Sequence, residues 1–232
     1  AGDLVVQNAR VRAIGEDAGG FRPISEKDLF DCEYWSLEQA KLGKGAPPKF
    51  QGKIVMITGG SGTIGFAIAE AFSKLGAQTI LVDKDEIALK ESVTKLGVGH
   101  KYFLIDVTHS DAANQAMLAA INNFGGLDIL ISNAGAAHAS PMLDISNEEL
   151  RNAFELNFFS HYSFSTEAAK ILKDQNRGGQ ILFNISKQAV NPGKNFGAYG
   201  LPKATTFFLM RQLALELGPD GIRVNGINAD RI

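Results

Sequence analysis

Residues 53–65 read Lys53-Ile54-Val55-Met56-Ile57-Thr58-Gly59-Gly60-Ser61-Gly62-Thr63-Ile64-Gly65. The short apolar run that opens this stretch is typical of a strand buried on both faces of a parallel sheet. The glycines at 60, 62 and 65 fit G-x-G-x-x-G, and a helical pattern follows them directly. Such a turn lets a pyrophosphate approach the free N–H groups of a helix N-terminus. The stretch therefore predicts a dinucleotide-binding turn, although a tight strand-to-helix turn without a ligand has the same local pattern.

Strands and helices continue to alternate after this turn. Further strands are predicted at 79–82, 102–105, 129–131, 181–185 and 223–227, and helices at 64–75, 85–96, 111–124, 146–172 and 199–217. Alternation of this kind requires right-handed parallel crossovers, so we expect an α/β fold with a doubly wound parallel sheet of Rossmann type. Because such sheets bind ligands at the carboxyl ends of their strands, we look for chemistry just after each strand.

The composition excludes several classes of protein. The 232 residues have a net charge of −2, with 45% hydrophobic and 21% charged residues, which is typical of a globular chain. There is no global basic field for nucleic acid and no apolar run long enough for a bilayer, so neither partner is expected. The four histidines lack metal-ligand spacing, and no metal site is predicted. One cysteine, Cys32, excludes an internal disulfide and fits a reducing compartment, so we expect a cytoplasmic location.

An acidic residue closes the second predicted strand. Asp83 lies 18 residues after Gly65. A carboxylate at this position accepts a hydrogen bond from a ribose 2′-OH and repels a 2′-phosphate, which favours NAD over NADP. The alternative role for Asp83 is that of a turn residue or helix cap.

A phenol and an ammonium stand four residues apart near the start of the last predicted helix. Tyr199 and Lys203 share one helix face at this spacing. A free tyrosine is a poor base at neutral pH, but a neighbouring cation lowers its pKa and suits it to exchange a proton with an alcohol. A solvent-exposed tyrosine–lysine pair without a catalytic role would have the same spacing. Three further groups accompany it: Ser186 after the fifth strand, residues 132–135 after the fourth, and Asn157 in the preceding helix, off the carboxyl side of the predicted sheet.

Together these motifs resemble the short-chain dehydrogenase/reductase family, from about residue 52 to the end of the chain. The resemblance implies that Tyr199 is the catalytic acid/base and that Lys203 holds the nicotinamide ribose and lowers the tyrosine pKa. It implies that Ser186 hydrogen-bonds the carbonyl or carbinol oxygen of the substrate, and that Asn157 holds a water in a proton relay. The implied partners are a small-molecule substrate and further copies of the same chain, because the family pairs its long helices across subunit interfaces.

The resemblance also implies an NAD site. Asp106, after the third strand, would contact the adenine, and residues 133–135 would shape the central region of the cofactor. The complete predicted set is Gly59, Ser61, Thr63, Ile64, Asp83, Asp106, Val107, Asn133, Ala134, Gly135, Tyr199 and Lys203. The family's usual turn is T-G-x-x-x-G-x-G, with glycine where Thr63 stands, while Gly62 fits the variant T-G-x-x-G-x-x-G, so two phosphate paths remain open.

The turn after strand five also leaves two alignments open. It reads Asn184-Ile185-Ser186-Lys187, where the family often has Asn-Ile-Ser-Ser. Aligned from the strand, Lys187 takes the position of the catalytic serine. Aligned back from Tyr199, Ser186 takes it, and we prefer this alignment because the chemistry couples serine to tyrosine.

Residues 1–51 differ from the dehydrogenase-like domain at 52–232. They contain short alternations broken by glycine and proline and too few core residues to fold alone, which predicts an extended arm or linker, with one or two helical turns at 36–42. Residues 33–38, 186–193 and 200–203 resemble two-domain bacterial proteins in which an aldolase module precedes the dehydrogenase, as in rhamnulose-1-phosphate aldolase/lactaldehyde dehydrogenase. That resemblance implies an upstream aldolase module and NAD-dependent oxidation of a small hydroxy-aldehyde.

The length of the domain leads to one more expectation. From Thr58 to Ile232 there are 175 residues, whereas members of this family run for about 230 to 240 residues from that turn. We therefore expect roughly 60 residues, including a seventh, C-terminal strand, to be absent after the sixth strand.

Three functions are compatible with these motifs. The first is an NAD(H)-dependent oxidoreductase of carbohydrate metabolism that interconverts an alcohol and a carbonyl on a small hydroxy-aldehyde or sugar-derived substrate. The second is a sugar-phosphate or polyol dehydrogenase in which Lys187 or Lys194 binds an anion. The third is a module that senses NAD(H) without turnover, which the complete set of catalytic residues disfavours.

Overall fold

The computed structural model describes residues 2–20, 22, 24–30 and 47–230. The chain divides into two compact units, Ala1–Pro47 and Pro48–Ile232. The helical turns predicted at 36–42 and Cys32 lie outside the described residues.

The described part of the first unit is helical. Helix α1 covers Gly2–Asp17 and helix α2 covers Glu26–Phe30. The prediction of an extended arm is wrong for these residues, because alternations of three or four residues are too short to outweigh the helix propensity of the alanine- and arginine-containing stretch that follows. Val5, Val11 and Ile14 of α1 are each more than half exposed.

The second unit is built on a parallel sheet. Its described strands are β1 (Ile54–Thr58), β2 (Gln78–Asp83), β3 (Lys101–Leu104), β4 (Ile129–Ser132), β5 (Gly179–Asn184) and β6 (Ile222–Ile227). Their order is β3-β2-β1-β4-β5-β6, and every pairing is parallel. The prediction of a doubly wound α/β fold is confirmed. The strand order reverses between β1 and β4, which is where such folds open a ligand crevice.

Helices cover both faces of this sheet. They are α3 (Thr63–Lys74), α4 (Glu86–Leu96), α5 (Ala112–Phe124), α6 (Asn147–Phe154), α7 (Ser160–Gln175) and α8 (Gly197–Leu217). Alternate residues of β1 point to opposite faces: Met56 packs with side chains of α5, α7 and α8, and Ile57 packs with side chains of α3 and α4. These two apolar layers fix β1 and its glycine-rich turn at the centre of the domain.

One long predicted helix is interrupted. The helix expected at 146–172 consists of α6, a π-helical turn at Glu155–Phe159, and α7. Ser146 caps α6 through the capping box with Glu149, as its spacing predicts. The π turn inserts one residue into the helical repeat and contains Asn157, and π turns of this kind are frequent at functional sites.

Candidate active site

The glycine-rich turn makes an open helix N-terminus. Gly59 has a φ of +62°, which favours glycine, and a Cβ on Gly65 would overlap the carbonyl oxygen of Gly59. Gly62 is the N-cap of α3 and has no side chain with which to cap it. The first N–H groups of α3 and the positive end of its dipole are therefore available to a phosphate. Thr63 is the first helical residue, whereas Gly65 allows close packing between the helix and the turn at Gly59 and Gly60.

A pocket of about 530 Å³ lies at this turn, along the carboxyl ends of the central strands. Of the twelve residues predicted to bind the cofactor, every one except Ser61 lines it: Gly59, Thr63, Ile64, Asp83, Asp106, Val107, Asn133, Ala134, Gly135, Tyr199 and Lys203. Ser61 instead donates its backbone N–H to Asp83 Oδ2 over 3.1 Å. The turn, an acidic strand end and a cavity of this size together fit a dinucleotide.

Two carboxylates are held in place along the pocket. Asp83 Oδ1 accepts a second hydrogen bond, from the N–H of Lys84 over 2.8 Å. Asp106 Oδ1 accepts from both the N–H and the hydroxyl of Thr108, over 3.0 and 2.8 Å. The hydrogen bond from the Thr108 N–H is the main reason that the pKa of Asp106 is lowered. Both side chains are thus oriented before any ligand arrives.

Asparagine and threonine side chains connect three strand ends. Thr58 Oγ1, at the end of β1, accepts from the N–H groups of Asn133 and Ala134 over 2.9 and 3.0 Å. Asn184 Nδ2, at the end of β5, donates to Asn133 Oδ1 over 2.9 Å. The turn after β4 is therefore fixed from both neighbouring strands. Sequence reasoning assigned no role to Thr58 or Asn184, because the partners of each are far away in the chain.

The predicted tyrosine–lysine pair lies next to this hydrogen-bond network. Lys203 is 2% exposed, and its Nζ lies 5.7 Å from the centroid of the Tyr199 ring. The ammonium donates to the carbonyl oxygen of Asn184 over 3.0 Å. Burial lowers the pKa of Lys203 from 10.5 to about 8, so that it is still charged at neutral pH. A buried cation beside a phenol is the arrangement that stabilises a phenolate.

A buried histidine, missed at the sequence level, contacts the same ammonium. His161 Nε2 lies 3.3 Å from Lys203 Nζ, and His161 Nδ1 lies 2.6 Å from the Ser132 hydroxyl. Burial and the nearby Lys203 charge hold the pKa of His161 well below its usual value. The only sequence signal for His161 was its position four residues after Asn157. The contact with Lys203 could not be predicted, because it forms only when α7 packs against β4 and β5.

Asn157 lies beside the site, and its expected position away from the carboxyl side of the sheet is wrong. The π turn presents its side chain to the turn after β4, where Nδ2 donates to the carbonyl of Ala136 over 3.1 Å and Oδ1 accepts from the Ala136 N–H over 3.3 Å. A Cβ on Gly135 would approach Asn157 Oδ1 to 2.8 Å. The carboxamide therefore fixes the loop that borders Tyr199.

Ser186 and Lys187 point to different partners. Ser186 caps the short 3-10 turn at Lys187–Ala189 by accepting from the N–H of Gln188 over 3.2 Å. Lys187 Nζ forms an ion pair with Asp230 Oδ2 over 2.9 Å. Neither residue lines the two pockets that the described residues form around Tyr199.

A second pocket of about 370 Å³ reaches the other side of Tyr199. It is formed by the loop after β4, by α6 and by the start of α8, and polar side chains of His138, Glu149 and Asn152 line it together with apolar ones. Tyr199 is common to both pockets, together with Ala136 and Leu156, so its side chain borders both the space that fits a dinucleotide and a smaller, mostly apolar space.

Comparison with known proteins identifies the family. The family model for short chain dehydrogenase matches residues 53–231. The chain belongs to the short-chain dehydrogenase family. A second family model, for the second domain of class II aldolases, matches residues 1–42.

Relatives and solved structures of this family share the same domain. An uncharacterized oxidoreductase of Bacillus subtilis (strain 168), YuxG, is 35% identical over 92% of this chain and 32% of its own length. The 7alpha-hydroxysteroid dehydrogenase of Escherichia coli (strain K12) is 34% identical over 77% of this chain and 71% of its own. This chain thus spans about a third of the length of YuxG, and the match to YuxG extends beyond the dehydrogenase domain into the N-terminal segment.

Two solved short-chain dehydrogenases superimpose closely. The NADH complex of 3-ketoacyl-(acyl-carrier-protein) reductase from Brucella melitensis has a TM-score of 0.76 and 27% identity, and covers 78% of this chain and 77% of its own. NAD+-bound xylitol dehydrogenase has a TM-score of 0.75 and 30% identity, and covers 78% and 71%.

Two site types are not found in the described part of the chain. No group of three His, Cys, Asp or Glu side chains is placed there to hold a metal ion. Within the same residues, no helix has the length and apolar character needed to cross a membrane.

Proposed function

We propose that this chain forms an NAD(H)-dependent oxidoreductase that interconverts an alcohol and a carbonyl on a small hydroxy-aldehyde or sugar-derived substrate. The observation that carries the proposal is the position of Tyr199. It lines both pockets, and the buried ammonium of Lys203 is 5.7 Å from its ring centroid.

The roles of the side chains follow from their chemistry. When bound in the larger pocket, NAD(H) would supply the acceptor or donor of a hydride. Tyr199 exchanges the proton of the substrate oxygen, and the positive charge of Lys203 stabilises its phenolate. Ser186 is assigned to the substrate oxygen in preference to Lys187, because the Lys187 ammonium is paired with Asp230. Asn157 holds the loop that borders Tyr199.

The cofactor choice rests on Asp83. Its carboxylate lines the larger pocket and is oriented by the N–H of Ser61. An oriented carboxylate can accept from a ribose 2′-OH, and it repels a 2′-phosphate. The two solved relatives described above contain NADH and NAD+.

The substrate class is suggested by the N-terminal segment. Residues 1–42 match the second domain of class II aldolases, and the dehydrogenase match begins at residue 53. We assign residues 1–51 to the end of an aldolase module and a linker, and 52–232 to the dehydrogenase domain. The exposed apolar side chains of α1 are then expected to pack against the rest of that module. Aldol cleavage yields small hydroxy-aldehydes such as lactaldehyde, so the dehydrogenase would act on such a product, in the cytoplasm.

A homo-oligomer is part of the same proposal. Phe159 of the π turn, Tyr162 of α7 and Phe208 of α8 are 46%, 47% and 65% exposed. Large apolar side chains on long helices favour pairing with another copy of the chain.

The alternative functions have weaker support. For a sugar-phosphate substrate, the ion pair with Asp230 competes for Lys187, while Lys194 remains exposed. A lower rate with lactaldehyde in the presence of phosphorylated polyols would indicate such an anion site. A sensing module has no need of a buried cation beside Tyr199, which costs stability.

The test uses the full chain and the variant Tyr199→Phe. We expect the wild type to form NADH from lactaldehyde or a related hydroxy-aldehyde, and Tyr199→Phe to be slower by at least about 100-fold, because the proton acceptor is lost. The matched control is Tyr162→Phe, which removes an exposed phenol from α7 and should keep the wild-type rate. A wild-type rate in Tyr199→Phe would refute the assigned role, and NADH binding without turnover across a panel of hydroxy-aldehydes and polyols would favour the sensing module.

A further inference from the structure

Within the part of the chain that the structure describes, no carboxylate is paired with the Lys203 ammonium. Among the described residues, its Nζ has two hydrogen-bond acceptors, the carbonyl oxygen of Asn184 at 3.0 Å and His161 Nε2 at 3.3 Å, and no Asp or Glu lies within ion-pair distance. The ammonium is therefore stabilised by neutral dipoles.

The protonation of His161 follows from these contacts. An ammonium only donates, so Nε2 must carry a lone pair, and the ring proton must be on Nδ1. Nδ1 lies 2.6 Å from the Ser132 hydroxyl, which can accept that proton. Ser132 is 1% exposed and His161 is also 1% exposed, so water does not compete for either group. The ring packs against Phe183, with centroids 6.1 Å apart. β4, β5 and α7 thus fix one tautomer of one ring.

We propose that His161 is a positioning residue, which accepts a hydrogen bond from Lys203 on Nε2 and so keeps a charged ammonium next to Tyr199. This inference rests on the proposed function, because it concerns the residue pair that carries the proton there. The imidazole does not touch the substrate in this assignment and acts through Lys203.

The titratable groups around the ammonium are Tyr199 on the same helix and His161 on α7, while Ser132, Asn157 and Asn184 are uncharged. Burial and the Lys203 charge keep the pKa of His161 low, so the ring remains a neutral acceptor at working pH. Without this acceptor the ammonium is less stable and the pKa of Lys203 falls further, so less positive charge lies beside Tyr199 to stabilise its phenolate.

The sharpest test compares two amides at position 161. The side-chain oxygen of His161→Gln reaches approximately as far as Nε2, so it can accept from Lys203. His161→Asn is shorter by one methylene and reaches only as far as Nδ1, so it keeps a contact with Ser132 and loses the one with Lys203. The measurement is a titration of the tyrosinate ultraviolet absorbance of the full chain, with the Tyr199→Phe curve subtracted to isolate Tyr199.

The expected result is a difference between the two amides. His161→Asn should raise the pKa of Tyr199 by about one unit, and should lower kcat/KM at neutral pH about tenfold, because the phenolate fraction falls tenfold per unit. His161→Gln should remain close to the wild type in both. A folded His161→Asn whose Tyr199 titrates as in the wild type would overturn the proposal.

Two further outcomes distinguish a failure of the His161 proposal from a failure of the proposed function. If Tyr199→Phe itself keeps the wild-type kcat/KM, the role of Tyr199 is wrong, whatever position 161 does. If His161→Asn does not fold, His161→Phe replaces it, because phenylalanine keeps the shape of the ring and has no acceptor for Lys203. A raised Tyr199 pKa in His161→Phe supports the proposal, and an unchanged one contradicts it.

Discussion

Asp83, the last residue of β2, accepts a hydrogen bond from the N–H of Ser61, in the turn that follows β1, over 3.1 Å. This hydrogen bond therefore joins the residue expected to bind the ribose to the turn expected to bind the phosphates. A dinucleotide presents its ribose and its pyrophosphate at a constant separation, so this hydrogen bond keeps two recognition elements in register. It also orients the Asp83 carboxylate, which we expect to favour discrimination against a 2′-phosphate.

Replacement of Asp83 by serine tests this discrimination. We expect Asp83→Ser to bind NADH about tenfold more weakly than the wild type, because the carboxylate that accepts from the ribose 2′-OH is gone. We expect it to bind NADPH more tightly, because the charge that repels the 2′-phosphate is gone as well. Fluorescence titration of the full chain with both dinucleotides gives the ratio. Asp85→Asn is the control, since Asp85 caps α4 nearby and asparagine caps equally well. Equal affinities of the wild type for the two dinucleotides would show that Asp83 does not select NAD(H) over NADP(H).

The Thr58 hydroxyl is expected to be important for stability. Thr58→Val keeps the shape of the side chain and leaves the N–H groups of Asn133 and Ala134 without their acceptor. We expect the free energy of unfolding to fall by about 2 to 3 kcal/mol, because buried donors without partners are costly. Urea denaturation measures this change. Thr58→Ser retains the oxygen and should lose less than about 1 kcal/mol, and a Thr58→Val that loses no more than Thr58→Ser would contradict the role of the hydroxyl.

The buried Lys203 should reduce stability at neutral pH. Its pKa is about 8 in the folded chain and 10.5 when unfolded, so between these values the unfolded chain binds more protons. The free energy of unfolding therefore gains a contribution as pH rises from about 8 to 10.5, and below that range the penalty for the buried charge is complete. We expect Lys203→Met to be inactive but more stable at pH 7 by on the order of 1 to 3 kcal/mol.

The control for this prediction is a surface lysine. Lys187 pairs with Asp230, and both side chains are about half exposed. Lys187→Met should therefore change the free energy of unfolding by less than about 1 kcal/mol. Denaturation of both variants at pH 7 and again near pH 9 gives the comparison. A less stable Lys203→Met at neutral pH would mean that the hydrogen bonds to Asn184 and His161 outweigh the cost of burying the charge.

Much of the fold could be predicted from local patterns. The apolar run before the glycine-rich turn predicted β1, and the capping box at Ser146 predicted the start of α6, because each depends on neighbours in the chain. Two predictions were wrong for the same kind of reason. A π turn has the composition of the helix around it, so residues 146–172 read as one helix, and short alternations at the N-terminus read as an extended arm although α1 is helical.

The sequence by itself determined the doubly wound class, the position of the turn, the acidic end of β2 and the Tyr199–Lys203 pair, because spacing along one strand or helix dictates these features. Only the tertiary structure decided which groups surround Lys203. His161 is 42 residues away in the chain and Asn184 is 19 away. Their contacts arise where α7 and α8 pack on the same face of the sheet, and no local periodicity encodes that approach.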